Sequence, residues 1–174
     1  MKTIEGTKIY QASPEDVFDC LDDLGVTGMH MTESSMPMMG GKMDLEFLTE
    51  QKTGLNTRYK WTGKVLWWNL DFTVLVKSWI RGQEKVWETT GITKLIIYSW
   101  FRMNLKVWKV PQGSAAQLSI SYEKPNGFFN QVLCFLLGAW YCRWCIKNML
   151  RDTEKKMIEA HTSADELNIA GKTS

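Results

Sequence analysis

From Gly127 to about Ala160 the chain reads as one long helix whose front half carries two apolar faces where a surface helix carries one. At about 100° per residue, Val132, Phe135, Ala139, Cys142, Ile146, Met149, Thr153 and Met157 line one side. Lys147, Arg151, Glu154 and Lys155 mark the opposite, solvated side. Followed back toward the N-terminus, that solvated side becomes Phe129, Leu133, Leu136, Leu137, Trp140 and Trp144, and water is a poor neighbour for it. The apolar run from Val132 to Ile146 is interrupted by Arg143 and ends at Lys147. Spanning a bilayer takes about 20 predominantly apolar residues. The segment can therefore lie against a membrane or a partner, but it is too short to cross one.

The helix needs an apolar surface to lie on, and the preceding residues supply strands. Thr3 to Gln11 reads as a first strand. Ser13 follows as an N-cap with Pro14 in the first helical position and Asp16 where a capping-box acid would sit. Val17, Phe18 and Leu21 form the inward side of that helix, Gly25 ends it, and a short helical turn is expected from Val26 to Met31. Glu33 to Lys42, with Pro37 and Gly40-Gly41, reads as a methionine-rich loop.

Strand alternation then takes over. Met43, Leu45 and Phe47 alternate with acids, and Tyr59, Trp61, Val65 and Trp67 alternate with polar residues. The pattern continues through Phe72, Val74 and Val76, through Val86 to Thr90, and along a run from Leu95 to Val110 that includes Phe101, Met103 and Leu105. Leu118, Ile120 and Tyr122 define the last strand. Short turn-rich links at Lys52–Asn56, Arg81–Gln83 and Pro111–Ser114 imply hairpins, and no crossover helix intervenes. The sheet is therefore antiparallel and must bury one face against the long helix.

A length of 174 residues suits one domain, taken as residues 1–160, followed by a polar tail at 161–174 expected to be flexible. A formal charge of +2 gives no reason to expect a nucleic-acid partner. The N-terminal MKTIEGTKIY lacks the apolar core of a signal peptide, so a cytoplasmic protein is expected, with peripheral membrane contact open to it. Cys142 and Cys145 imitate a C-x-x-C but sit mid-helix among aromatics. Together with Cys20 and Cys134 they read as packing thiols, with no metal expected.

The SPEDVFDCL segment after the first strand and YEKPNGFFNQVL leading into a helix that ends LRDTEKKMIE resemble the SRPBCC superfamily. These are the START-related, birch-allergen-like helix-grip proteins, and the similarity is to their polyketide cyclase/dehydrase and lipid-transport-like group. It covers about Thr3 to Glu159. The resemblance implies an α+β fold: a seven-stranded curved antiparallel sheet gripping the C-terminal helix, with two short helices after the first strand. It also implies a cavity between sheet and helix for a hydrophobic, lipid-like or polyketide-like molecule. Its expected lining is Tyr59, Trp61, Trp67, Phe72, Val74, Phe101, Met103, Leu105, Ile120, Tyr122, Phe135, Cys142, Ile146 and Met149.

No catalytic motif accompanies this pattern. His30 and His161 have no nucleophile placed beside them, Glu88 and Glu123 are the acids that strand position leaves as candidates, and Gly40-Gly41 is not a phosphate-binding motif. Met29, His30, Met31, Met36, Met38 and Met39 include soft donors of the kind that select Cu(I), but the reading taken for them is an adaptable apolar surface at a cavity mouth. The reading that follows is a binder or carrier without cofactor. A cyclase/dehydratase-type enzyme is the alternative. So is an interaction domain using Phe129, Leu133, Leu137, Trp140 and Trp144 for a homodimer or a membrane.

Overall fold

The computed structural model describes residues 1–28, 31, 42–65 and 68–170. β1 (Lys2–Tyr10) leads into α1 (Pro14–Asp22), where the Ser13 side chain caps the Asp16 amide and Pro14 takes the first turn. α2 (Leu24–Thr27) follows at once, capped by Asp23 through the Gly25 amide. Gly25 thus lies inside the second helix instead of ending the first. Asp23 makes the break, because its extended backbone and side chain serve the new N-terminus.

Six further strands form a meander: β2 (Lys42–Phe47), β3 (Arg58–Val65), β4 (Trp68–Ile80), β5 (Glu84–Lys94), β6 (Trp100–Val110) and β7 (Gly113–Glu123). All pairings are antiparallel, in the order β1-β7-β6-β5-β4-β3-β2. The inner face collects Tyr59, Trp61, Phe72, Val74, Trp87, Met103, Leu105, Leu118, Ile120 and Tyr122, all buried. This is the seven-stranded helix-grip architecture.

Within β3 to β6 two boundaries differ from the sequence reading. Val65 pairs with Trp68, so the strand read as continuing to Trp67 ends at Val65, and Trp67 lies outside the described residues. The run read as a strand from Leu95 joins β6 only at Trp100. Leu95, Ile97 and Tyr98 instead pack against the core from a connection. Alternation records which residues face inward, but it does not distinguish a strand from a loop that caps the core.

α3 (Phe128–Ala170) lies across β1 and β7 and against α1 and α2. It continues past Ala160, where the sequence reading ended it; the added residues contain neither glycine nor proline. Its back half faces as expected, with Cys142, Ile146, Met149 and Thr153 buried. At Gly6 a Cβ would stand 2.8 Å from Ile146 Cγ2, so the glycine lets the helix sit directly on β1.

The front half is rotated from its expected phase. Phe135 is 78% exposed and Val132 40%, whereas Cys134 is buried. The cause is what lies beneath. The Tyr98 and Tyr122 rings, 4.5 Å apart, fill the space under this part of the helix. Tyr98 Oη donates to the Gly138 carbonyl at 2.6 Å and lies 3.1 Å from Cys142 Sγ. Only a strip of small residues, Cys134, Gly138 and Cys142, fits over those rings. The larger side chains turn outward.

All five tyrosines of the chain have phenols shifted to higher pKa, with burial as the largest cause. The protonated phenol is therefore favoured in the folded state, and its stabilisation is complete below the unfolded value of about 10 and declines as pH rises above it. A spectrophotometric titration should show markedly less tyrosinate in the native protein than in the unfolded chain at a pH near 10, where free tyrosine is about half ionised. The ionisation should then arrive together with loss of the near-ultraviolet circular dichroism. Gradual ionisation with the fold intact would contradict the packing described.

Candidate functional site

A cavity of about 70 Å³ lies where the two short helices face the middle of the sheet. Leu21 of α1, Leu24 and Thr27 of α2, Gly28 and Met31 form its helical side. Tyr59 and Trp61 of β3, Phe72 and Val74 of β4, Lys85 and Trp87 of β5, and Phe101 and Met103 of β6 form its sheet side. α3 contributes Met149. The helix sits toward the β1–β7 side of the sheet, so most of the opposing wall comes from α1 and α2.

The expected site residues thus divide. Tyr59, Trp61, Phe72, Val74, Phe101, Met103 and Met149 line the cavity. Leu105, Ile120, Tyr122, Cys142 and Ile146 are buried in the surrounding core. Phe135 points away from the cavity, for the packing reason given above. Trp67 lies outside the described residues, as do Met29, His30, Met36, Met38 and Met39.

The charged group in this wall was absent from the sequence reading. Lys85 stands opposite Leu105 on β6 and opposite Trp79 on β4, and strand phase puts it on the inner face with Trp87 and Thr89. The signal was present in the alternation Lys85-Trp87-Thr89, but a lysine is normally read as an outward residue. Asp22, the last residue of α1, meets it: Nζ and Oδ1 are 2.5 Å apart, with side chains 4% and 5% exposed. Trp79 Nε1 donates to the other carboxylate oxygen at 2.8 Å. The Lys85 ammonium also lies 4.9 Å from the centroid of the Trp87 ring.

Burial lowers the Lys85 pKa, and the neighbouring Asp22 charge opposes that shift without cancelling it. A buried ion pair of this kind is stabilised by mutual attraction and by its extra hydrogen bonds, set against a large desolvation cost. The same Asp22 charge adds to burial in raising the Tyr59 phenol. The polar end of the cavity is therefore one coupled group: carboxylate, ammonium and phenol.

The two acids considered from the sequence are elsewhere. Glu88 belongs to the outer face, where Arg102 Nη2 lies 2.6 Å from its Oε2 and Lys77 3.9 Å from its Oε1. Glu123 is exposed at the end of β7. The four cysteines are unpaired with one another. Burial pushes the Cys142 thiol up to about 11 and raises Cys134 and Cys145 as well, which makes poor nucleophiles of them. Among the described residues no cluster of histidine, cysteine and acidic side chains has the arrangement of a metal site.

No known family profile matches the chain, and no curated protein is similar to it in sequence. Solved structures are similar in fold. A protein from Thermus thermophilus superposes with a TM-score of 0.68 at 15% identity, covering 91% of this chain and 99% of that one. Norcoclaurine synthase from Thalictrum flavum gives 0.63 at 13% identity, covering 91% and 87%. The Zhui aromatase/cyclase from a Streptomyces species gives 0.57 at 10% identity, covering 90% and 95%. The chain has the helix-grip fold that the sequence pattern resembled. At these identities the likeness is one of architecture.

Breaking the ion pair tests its geometry. Lys85→Met should cost about 3–5 kcal/mol in urea unfolding, because Asp22 is left buried beside an apolar side chain. Adding Asp22→Asn should recover much of that loss. Additive costs for the two substitutions would show that the groups do not act as a pair.

Proposed function

We propose that this protein binds a hydrophobic small molecule bearing one acceptor group, with the apolar body against Trp61, Trp87, Phe72 and Met103 and the acceptor directed to Lys85. The observation that carries this reading is the buried lysine in an otherwise apolar cavity wall. Few and well-placed polar groups among aromatic and aliphatic walls are the usual composition of a small-molecule site. Lys85 selects a carboxylate, sulfonate or carbonyl oxygen, since it supplies donors and a positive charge. Lipid-like and polyketide-like molecules with such an end belong to this class.

The space of about 70 Å³ is well below that of ordinary ligand pockets, which run from about 300 Å³ upward. Binding therefore requires the walls to give. Met31, Met103 and Met149 border the space, and their unbranched thioethers repack at small cost. That supports reversible carriage of molecules whose shape varies, and it favours aromatic or chain-like bodies over rigid globular ones.

A second reading has its own support. A cyclase- or dehydratase-type reaction needs an ionisable group in contact with the substrate, and the Asp22–Lys85 pair meets that need where Glu88 and Glu123 do not. An ammonium with a lowered pKa can donate toward a carbonyl oxygen as negative charge develops there, and Asp22 holds it in place. Binding is the reading that requires fewer groups, so it stands first.

Fluorescence titration with anilinonaphthalene sulfonate and with neutral phenylnaphthylamine distinguishes the acceptor's role, provided surface binding on α3 is controlled with Phe135→Ser. Both probes should bind saturably. Lys85→Met, checked for folding by circular dichroism, should weaken the sulfonate probe by about tenfold or more and the neutral probe by less than about threefold. Equal losses, or binding that Phe135→Ser abolishes, would count against the cavity.

A further inference from the structure

We propose that the front half of α3 is a docking surface for an anionic membrane, on which the helix lies in the interfacial plane. Phe128, Phe129, Phe135, Leu136, Leu137 and Trp140 are between 42% and 86% exposed and occupy about three and a half turns of one helix. The tyrosine rings beneath the helix hold them outward, so they are fixed on the surface by the core. This is a built apolar face and not a scatter of exposed side chains.

The charges around it identify the occupant. From Lys124 through Arg151 the sequence contains no aspartate or glutamate, while Lys124, Arg143, Lys147 and Arg151 are all exposed. Lys2 adds a further cation at the helix entry, on the β1 position paired with Tyr122. Along the sequence the first acids on either side are Glu123 at the strand end and Asp152, which is held by Arg151. An apolar face with a cationic margin is the composition of an interfacial helix, where aliphatic and aromatic side chains enter the acyl boundary and lysine or arginine meets lipid phosphate and carboxylate. Trp140, half-exposed beside Arg143, suits the headgroup level.

A second copy fits less well. A twofold interface sets the same patch against itself, and here that would bring cations together with no acid between Lys124 and Arg151 to pair them. Anionic lipid removes that repulsion. Among the described residues no helix is long and apolar enough to cross a membrane, which agrees with a helix lying on the surface.

The test uses the full chain, without added ligand, in sedimentation with vesicles of phosphatidylcholine alone and with about a third phosphatidylserine. Binding to the anionic vesicles should be tighter by about tenfold or more and should weaken as salt rises. Phe135→Ser with Leu136→Ser should abolish it while leaving thermal unfolding unchanged, since both positions are exposed. Arg143→Glu with Lys147→Glu should remove the preference for phosphatidylserine. Equal binding to both vesicles, or no effect of the apolar pair, would overturn the proposal. Concentration-dependent dimerisation lost in Phe135→Ser, with no vesicle binding, would overturn it in favour of a second copy.

Discussion

The contact between Tyr98 and Gly138 determines how the long helix is rotated, and much of the molecule follows from that rotation. The phenol donates to the helix backbone at 2.6 Å, and Gly138 permits the approach because a Cβ there would already stand 3.3 Å from the ring. With Cys134 and Cys142 completing a small-residue strip, the helix descends onto aromatic rings and not onto its own large side chains. Phe128, Phe129, Phe135, Leu136 and Leu137 are then outside by geometry, although their hydrophobicity alone would put them inside. The same seating places α3 toward β1 and β7, which leaves α1 and α2 to border the cavity over the middle of the sheet.

That division explains why the partner of the cavity's lysine comes from α1. Asp22 ends the helix and Asp23 begins the next, so the chain turns at two successive acids. One caps α2 in solvent, and the other points inward to Lys85. A carboxylate at this depth is tolerable only with partners, which the lysine and the Trp79 indole provide, while the Trp87 ring face meets the ammonium. The ion pair fastens α1 to β5 across the roof of the cavity. It is at once a structural link and the charged feature of the lining.

Much of this was legible in the sequence, and the failures share a cause. Strand alternation located the inner face at Tyr59, Trp61, Phe72, Met103, Leu118 and Tyr122, and the Ser13-Pro14 signal located α1, because periodicity and capping are local properties of the backbone. The phase of the front half of α3 was not legible. It depends on Tyr98, some forty positions away, which sits in what alternation presented as more strand. Lys85 was missed for a complementary reason: the strand was read only from Val86, one residue past it, and a lysine at a strand end is ordinarily taken to face water. Both errors come from reading a side chain by its own chemistry when a distant partner decides its direction.

The two surfaces of α3 therefore have different physical origins. Its back half is buried by the ordinary preference of apolar residues for a core, and Met149 reaches the cavity from there. Its front half exposes large apolar groups because smaller ones are needed underneath. Were exposure there merely tolerated, substitution by polar residues would be free, and a stretch from Phe128 to Cys142 with no charged residue would be an improbable outcome of that freedom. Exposed apolar surface of this extent invites association of some kind. The cationic margin and the absence of acids from Lys124 through Arg151 are the features that the proposed anionic membrane surface would complement.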